Sequence, residues 1–174
     1  MKQYPEYEGS LSENIGFAYI YGQGNTKEGI DWMKKGLKIH QASSNQKEAL
    51  KTAYNIAFIL SKVEAFDSAM IYYQYVIEQN EDAELQVRLH ESYNNLGLLY
   101  YYQAKYEKAS YYLLEGIKLK EKLGETKEIH HSYMNVGLVF QELDECERAK
   151  KYFQKANKAF TSLNSKYGIA VSIE

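Results

Sequence analysis

The sequence predicts an all-α solenoid of stacked antiparallel helix pairs, and three observations carry that expectation. One string recurs every 40 residues, as Asn55-Ile56-Ala57, Asn95-Leu96-Gly97 and Asn135-Val136-Gly137. Small residues follow at the same interval, Ala69, Ala109 and Ala149, each preceded by three residues by Phe66, Tyr106 and Cys146. The chain of 174 residues also holds a single proline, Pro5. Proline removes a helical hydrogen bond and clashes with the preceding turn, so a chain almost without it can be helical nearly throughout. A fixed period of this length marks repeat architectures, in which one unit cannot bury its apolar face alone and neighbours stack.

Taken in order, a first copy opens at Asn14-Ile15-Gly16 and continues to Gly29, 40 residues before Ala69. Its first half is offset by one residue, and Gly22-Gln23-Gly24-Asn25 is the expected place for the extra residue and the turn. The second copy is looser, with Ala53 where the third and fourth have Tyr93 and Tyr133. In the third, spacings of three and four put Tyr93, Leu96, Gly97 and Tyr100 on one helical face. Gly97 and Ala109 are small because two helices must approach closely there. Gln103-Ala104-Lys105 and Leu143-Asp144-Glu145 are read as the tight turns between antiparallel partners. The repeats are expected over residues 9–45, 50–85, 90–125 and 130–164, all in one domain spanning 1–174. Residues 165–174 read as the opening helix of a fifth repeat without a partner, which points to a piece of a longer protein; a single solvating cap helix is the alternative. Such an uncapped helix is also a surface on which a second copy can associate.

These positions resemble the tetratricopeptide repeat. In the third copy Tyr93, Leu96, Gly97, Tyr100, Tyr106, Ala109 and Leu113 fall on its aromatic, Leu-Gly, Tyr, Tyr, Ala and aromatic sites; in the fourth, Tyr133, Val136, Gly137, Phe140, Cys146, Ala149, Phe153 and Ala156 do so. The usual repeat has about 34 residues. The longer period is similar to that of kinesin light chains and of bacterial peptide receptors of the Rap and PlcR type. The extra residues fall between pairs, as in the segment 118–126. The resemblance implies a superhelix whose first helices line a concave groove, and a non-catalytic scaffold for protein or peptide partners. The alternative reading is a sensor or regulatory segment of a larger bacterial signalling protein.

Within that frame Asn14, Asn55, Asn95 and Asn135 form a ladder on the first helices. A primary amide offers two donors and an acceptor, which match an extended peptide backbone of any sequence. Two readings stand side by side: contact with a ligand, or a bond to the neighbouring helix. Phe17, Phe58, Leu98 and Leu138 follow each asparagine by three residues, with Tyr21, Tyr101 and Tyr102 further along. They suit an apolar or aromatic-bearing segment, or else pack between repeats. A carboxylate clamp of the chaperone-binding kind is disfavoured, since its Lys and Asn positions hold Glu13, Tyr54, Asn94 and Met134, then those apolar residues. A second ladder, Trp32, Tyr72, Tyr112 and Tyr152, is expected to pack on the outer side.

No residue set points to a reaction, so the chain is read as no enzyme, without cofactor or metal. His90-Glu91 lacks the second histidine of a zinc-protease motif, and Gly22-Gln23-Gly24 lacks the lysine of a phosphate loop. His90 and His130 are expected on helix surfaces, and Cys146 as a buried, inert thiol. A net charge of -2 without a concentrated basic block disfavours nucleic acid. No apolar run follows Met1, which disfavours a membrane anchor, and one cysteine fits a reducing, cytoplasmic setting.

Overall fold

The structure, a computed structural model, describes residues 5–80, 88–124 and 128–171. Regular structure among them is helical: α1 (Pro5–Phe17), a π-helical segment (Ala18–Gly22), α2 (Thr26–Ala42), α3 (Gln46–Lys62), α4 (Phe66–Glu78), α5 (Leu89–Tyr102), α6 (Tyr106–Lys122), α7 (Ile129–Glu142) and α8 (Cys146–Val171). The chain forms two compact units, Met1–Ser92 and Tyr93–Glu174. Within each, antiparallel helix pairs stack, so the architecture is all-α and consistent with a tetratricopeptide-like solenoid.

In the first unit α1 packs on α2, α2 on α3 and α3 on α4. Met33, Leu50, Ile56, Tyr73 and Val76 are fully buried at its centre. The first pair meets backbone to backbone. A β-carbon on Gly16 would lie 2.6 Å from the carbonyl oxygen of Gly29, and one on Gly36 would lie 2.7 Å from that of Gly9. In the second unit α6 packs on α7 and α7 on α8, around Leu96, Leu113, Val136, Val139 and Phe140. There Gly97 lies under Leu113 and Gly137 under the ring of Phe153, which explains the small residue at this step of the pattern.

The turns explain how a 40-residue period closes. At the ends of α3, α5 and α7 the residues Glu64, Ala104 and Asp144 are left-handed, with φ of 60°, 55° and 57°. Each begins a paired hydrogen-bond motif; in α5, Lys105 N–H donates to the Tyr100 carbonyl and Ala104 N–H to that of Tyr101, both at 2.9 Å. This closes the orphan carbonyls of one helix and delivers the chain directly to the next. Asn25 and Asn45 cap α2 and α3 through bonds from Glu28 N–H and Glu48 N–H. The extra residue of the first copy is absorbed upstream of the expected Gly22–Asn25 turn, in the π-helical segment Ala18–Gly22. A π turn holds one more residue per turn than an α-turn does, so the offset is taken up without breaking the helix.

Three expectations are corrected. Residues 165–171 do not open a separate fifth helix, because α8 runs unbroken from Cys146 to Val171. Asn164 stands where Ser44 and Gly124 turn left-handed, yet it remains helical. No described helix follows α8 whose packing would draw Asn164 into the left-handed conformation. Cys146 is exposed rather than buried, since no described helix covers the start of α8. His130 is buried rather than on the surface, with its ring centroid 5.3 Å from Phe160 and 4.0 Å from His131. Of the expected inter-pair stretch 118–126, residues 118–122 simply lengthen α6. Residues 81–87, 125–127 and 172–174, on which the expected ends of repeats fall, lie outside the described residues.

Candidate ligand-binding face

The ladder residues sit on α1, α3, α5 and α7, and each unit arranges them differently. In the first unit Asn55 Nδ2 donates to Glu13 Oε1 at 2.7 Å, and Thr52 Oγ1 donates to Glu13 Oε2 at 3.1 Å. One carboxylate on α1 therefore ties two residues of α3, and Asn14 beside it is exposed. A bond to a charged acceptor is shorter and roughly twice as strong as a neutral one. The Asn55 amide is thus engaged within the chain.

One turn further, side chains four residues apart pair on the helix surface. The half-buried Phe17 stacks on exposed Tyr21 at 6.0 Å between centroids. Tyr54 stacks on Phe58 at 6.4 Å, and Lys62 Nζ lies 5.2 Å above the exposed Phe58 ring.

In the second unit the carboxylate is replaced by an amide. Asn135 Nδ2 donates to Asn94 Oδ1 at 3.4 Å, and Asn94 Nδ2 donates to Asn95 Oδ1 at 3.4 Å. These bonds are neutral and lie beyond the usual N–H···O range of about 2.7–3.2 Å. Around them Met134 and Leu138 of α7 are 43% and 40% exposed, and Tyr102 is 65% exposed, while Leu98 is half-buried. Tyr101 packs against Tyr102 and Tyr106 at 5.9 and 5.7 Å. The hydroxyls of Tyr101 and Tyr106 both donate to Glu142, and burial followed by that negative charge pushes both phenols up from their ordinary range. The second unit thus presents an amide cluster with apolar side chains beside it and an acid-held tyrosine pair at its end.

Sequence reasoning named the asparagines and the apolar positions but not their partners. Glu13 and Asn94 were noted only for failing to form a carboxylate clamp, although they accept the ladder bonds. Glu142 was missed altogether, since nothing in the spacing of Tyr101 and Tyr106 ties them to that carboxylate. Two residues of the second ladder pack on their partner first helices: Tyr112 stacks on Tyr100 at 5.3 Å, and Tyr152 lies 5.6 Å from Phe140. Among the described residues no group of three or more His, Cys, Asp or Glu side chains is placed to hold a metal ion. No helix among them is long and apolar enough to cross a membrane.

Residues 91–125 and 130–160 each match the tetratricopeptide repeat. The chain is a tetratricopeptide-like all-α repeat protein. No curated protein matches its sequence, so the likeness is otherwise one of structure. BtubC (BKLC) from P. vanneervenii superposes with a TM-score of 0.81 at 20% identity, covering 94% of this chain and 67% of that one. The apo form of RapI gives 0.81 at 16% identity over 90% of this chain, which spans only 44% of RapI. A putative kinesin light chain from Podosopora anserina gives 0.67 at 11% identity over 90% of this chain and 76% of that one. At these identities the likeness is one of fold.

Proposed function

We propose that this repeat protein is a non-catalytic scaffold that binds a protein or peptide segment along the first-helix face of its second unit. The observation that carries the reading is the pairing of Asn94, Asn95 and Asn135, joined by long neutral bonds, with exposed Met134, Leu138 and Tyr102. Long bonds between amides are readily exchanged for bonds to a peptide main chain, and the flanking apolar surface supplies the hydrophobic contact. Asn95 and Asn135 hold the main chain of an extended segment, while Leu98, Leu138, Tyr101 and Tyr102 receive its apolar side chains. In the first unit the Asn55 amide is tied to Glu13 and is not offered to a ligand in the same way. The tetratricopeptide-like fold supports this reading, and the single cysteine supports a cytoplasmic setting.

The test is selection of a displayed random-peptide library on the immobilised chain, followed by titration of a recovered peptide against the Asn95→Ala/Asn135→Ala double variant. A loss of roughly tenfold or more in affinity, with unchanged melting, is the expected outcome. Equal binding by the double variant sinks the assignment of the asparagines. Parallel loss of stability and affinity makes them structural.

A second reading is favoured by one observation, that this chain spans only 44% of RapI. On it, the repeats are the sensor segment of a larger signalling protein, and ligand binding changes their helix packing. Hydrogen exchange of α5 to α7 with and without the selected peptide separates the two: a local footprint supports the scaffold, and protection changes spreading through α8 support the sensor.

A further inference from the structure

Carboxylates on the helix surfaces of this chain tend to carry their own cation. Glu48, Glu91, Glu115 and Glu145 pair with Lys51, Arg88, Lys118 and Arg148, each three residues away. Glu142, the exposed last residue of α7, does not. Its neighbours at three and four positions are Leu138, Val139, Glu145 and Cys146, none of them basic. Among the described residues no lysine, arginine or histidine forms an ion pair with it.

Instead the Glu142 carboxylate accepts from the hydroxyls of Tyr101, at the end of α5, and Tyr106, at the start of α6. The acid is thus held from two helices of the preceding pair. A carboxylate offers about four lone-pair sites, and two phenols use only two of them. Tying α7 to the α5–α6 turn needs an acceptor but not a charge, since a glutamine carbonyl would serve. The charge is left without a counter-ion.

The surface beside that acid is aromatic. Tyr101 meets Tyr102 at 67° and Tyr106 at 56°, with centroids 5.9 and 5.7 Å apart. The Tyr102 ring is 65% exposed. A ring face attracts a cation through its quadrupole, and this chain uses that contact elsewhere, with Lys62 over Phe58, Lys108 over Tyr100 and Arg148 over Phe140. Among the described residues no cation stands over Tyr101 or Tyr106. The nearby Lys105 amine bonds to Gln103 Oε1 at 2.7 Å instead.

The acid also continues the amide face. Asn135, Leu138 and Glu142 are spaced by three and four on α7, as Asn94, Leu98 and Tyr101 are on α5, so each set shares one side of its helix. We propose that Glu142, with the rings of Tyr101 and Tyr102, forms a subsite for a basic side chain, lysine or arginine, of the segment bound on this face. The subsite rests on the peptide-binding function proposed for that face. Glu142 supplies the counter-charge, and Tyr102 covers the methylene stem. Seven residues separate Asn135 from Glu142, about 10 Å of helix, which an extended chain covers in about three residues. The basic residue therefore lies about three positions from the one whose main chain the amides hold.

Selection of a displayed random-peptide library on the wild-type chain and on Glu142→Gln tests this. Glutamine keeps an acceptor for the phenols and removes only the charge, and circular dichroism confirms that the variant folds. Lysine or arginine should be enriched at one position of the peptides recovered on wild type, and not on the variant. A recovered peptide is then titrated against both chains, with its basic residue intact or replaced by glutamine. The replacement should weaken binding to wild type roughly tenfold, an effect that shrinks as salt rises, and binding to Glu142→Gln by less than about twofold. If Glu142→Gln is unfolded, Tyr102→Ala takes its place, and the replacement should again cost less than on wild type. Peptides without a basic preference overturn the subsite and leave the scaffold standing, as does a basic residue worth the same on both chains. A library from which nothing binds the wild-type chain overturns the scaffold, and the subsite with it.

Discussion

Four glycines face one another across α1 and α2, whereas across α7 and α8 a single glycine faces a phenylalanine ring. In the first pair a β-carbon on Gly16 meets the backbone oxygen of Gly29 at 2.6 Å and Met33 Cγ at 2.5 Å. In the last pair the three atoms nearest to a β-carbon on Gly137 all belong to the Phe153 ring, the closest at 2.5 Å. A backbone cannot move without separating the helices, but Phe153 is half-buried at the edge of the α7–α8 groove and its ring can swing. The same step of one repeat pattern is therefore rigid at one place and forgiving at another. What decides is whether the neighbour is main chain or the end of a side chain.

The largest predicted effect breaks that comparison directly. Gly16→Ala forces the first pair apart, at a cost typical of overpacking, about 1–3 kcal/mol, which outweighs a helix-propensity gain of about 1 kcal/mol. Gly137→Ala gains the same propensity while Phe153 yields, so its stability stays near wild type. Urea unfolding of the two variants should show a lowered midpoint for Gly16→Ala alone; equal midpoints would mean that the first pair relaxes as readily as the last.

The ladder bonds extend the contrast between the two units. Asn55→Ala removes a charge-assisted bond and leaves Glu13 with Thr52 alone, which should lower stability by about 1–2 kcal/mol. Asn135→Ala removes one bond of 3.4 Å between neutral amides and should lower it by about 0.5 kcal/mol or less. Thermal melting of the pair of variants measures the difference. A larger loss for Asn135→Ala would show that the amide cluster, not the carboxylate, is the structural one.

The last pair also carries a pH-dependent group. Burial, with the neighbouring His131 charge adding to it and Lys120 contributing slightly against Glu128, holds the His130 imidazole below its ordinary value of 6.5. The unfolded chain then binds the proton more readily than the fold does. Stability is full above about pH 6.5 and declines as the pH falls from there through the depressed folded value. His130→Leu should flatten the fall in melting temperature between about pH 7 and pH 5. An equally steep fall in the variant would place the acid sensitivity elsewhere.

How much of this was legible in the sequence depends on what kind of contact each residue makes. The period, the pairing and the small residues at 97, 109 and 137 were readable because close helix approach permits few side chains. The one-residue offset of the first copy was visible, but not its seat in the π-helical segment, since π and α turns accept the same residues. Likewise the asparagines stood out, while the partner of each, a glutamate in one unit and an asparagine in the other, depends on which helix lies alongside. The unbroken α8 departs from the expected fifth repeat because the 40-residue period places a new first helix at 165–174, and only packing decides whether a turn precedes it.

The smallest effect concerns the turn positions, where the first pair again differs from the others. Gly24, Glu64, Ala104 and Asp144 occupy one left-handed site, with φ of 69°, 60°, 55° and 57°, and glycine stands only in the first. A β-carbon there costs about 1–2 kcal/mol, while glycine costs about 0.5–1 kcal/mol in unfolded-state entropy. Ala104→Gly should therefore stabilise the chain by about 0.5–1 kcal/mol, and Gly24→Ala should destabilise it by a similar amount. Asp144→Gly should gain least, because aspartate tolerates the left-handed region by bonding to its own backbone. Chemical denaturation of the three variants orders them. If Ala104→Gly instead loses stability, the motif closed by Lys105 N–H on Tyr100 holds its turn without strain, and the absence of glycine from the later turns needs no compensation.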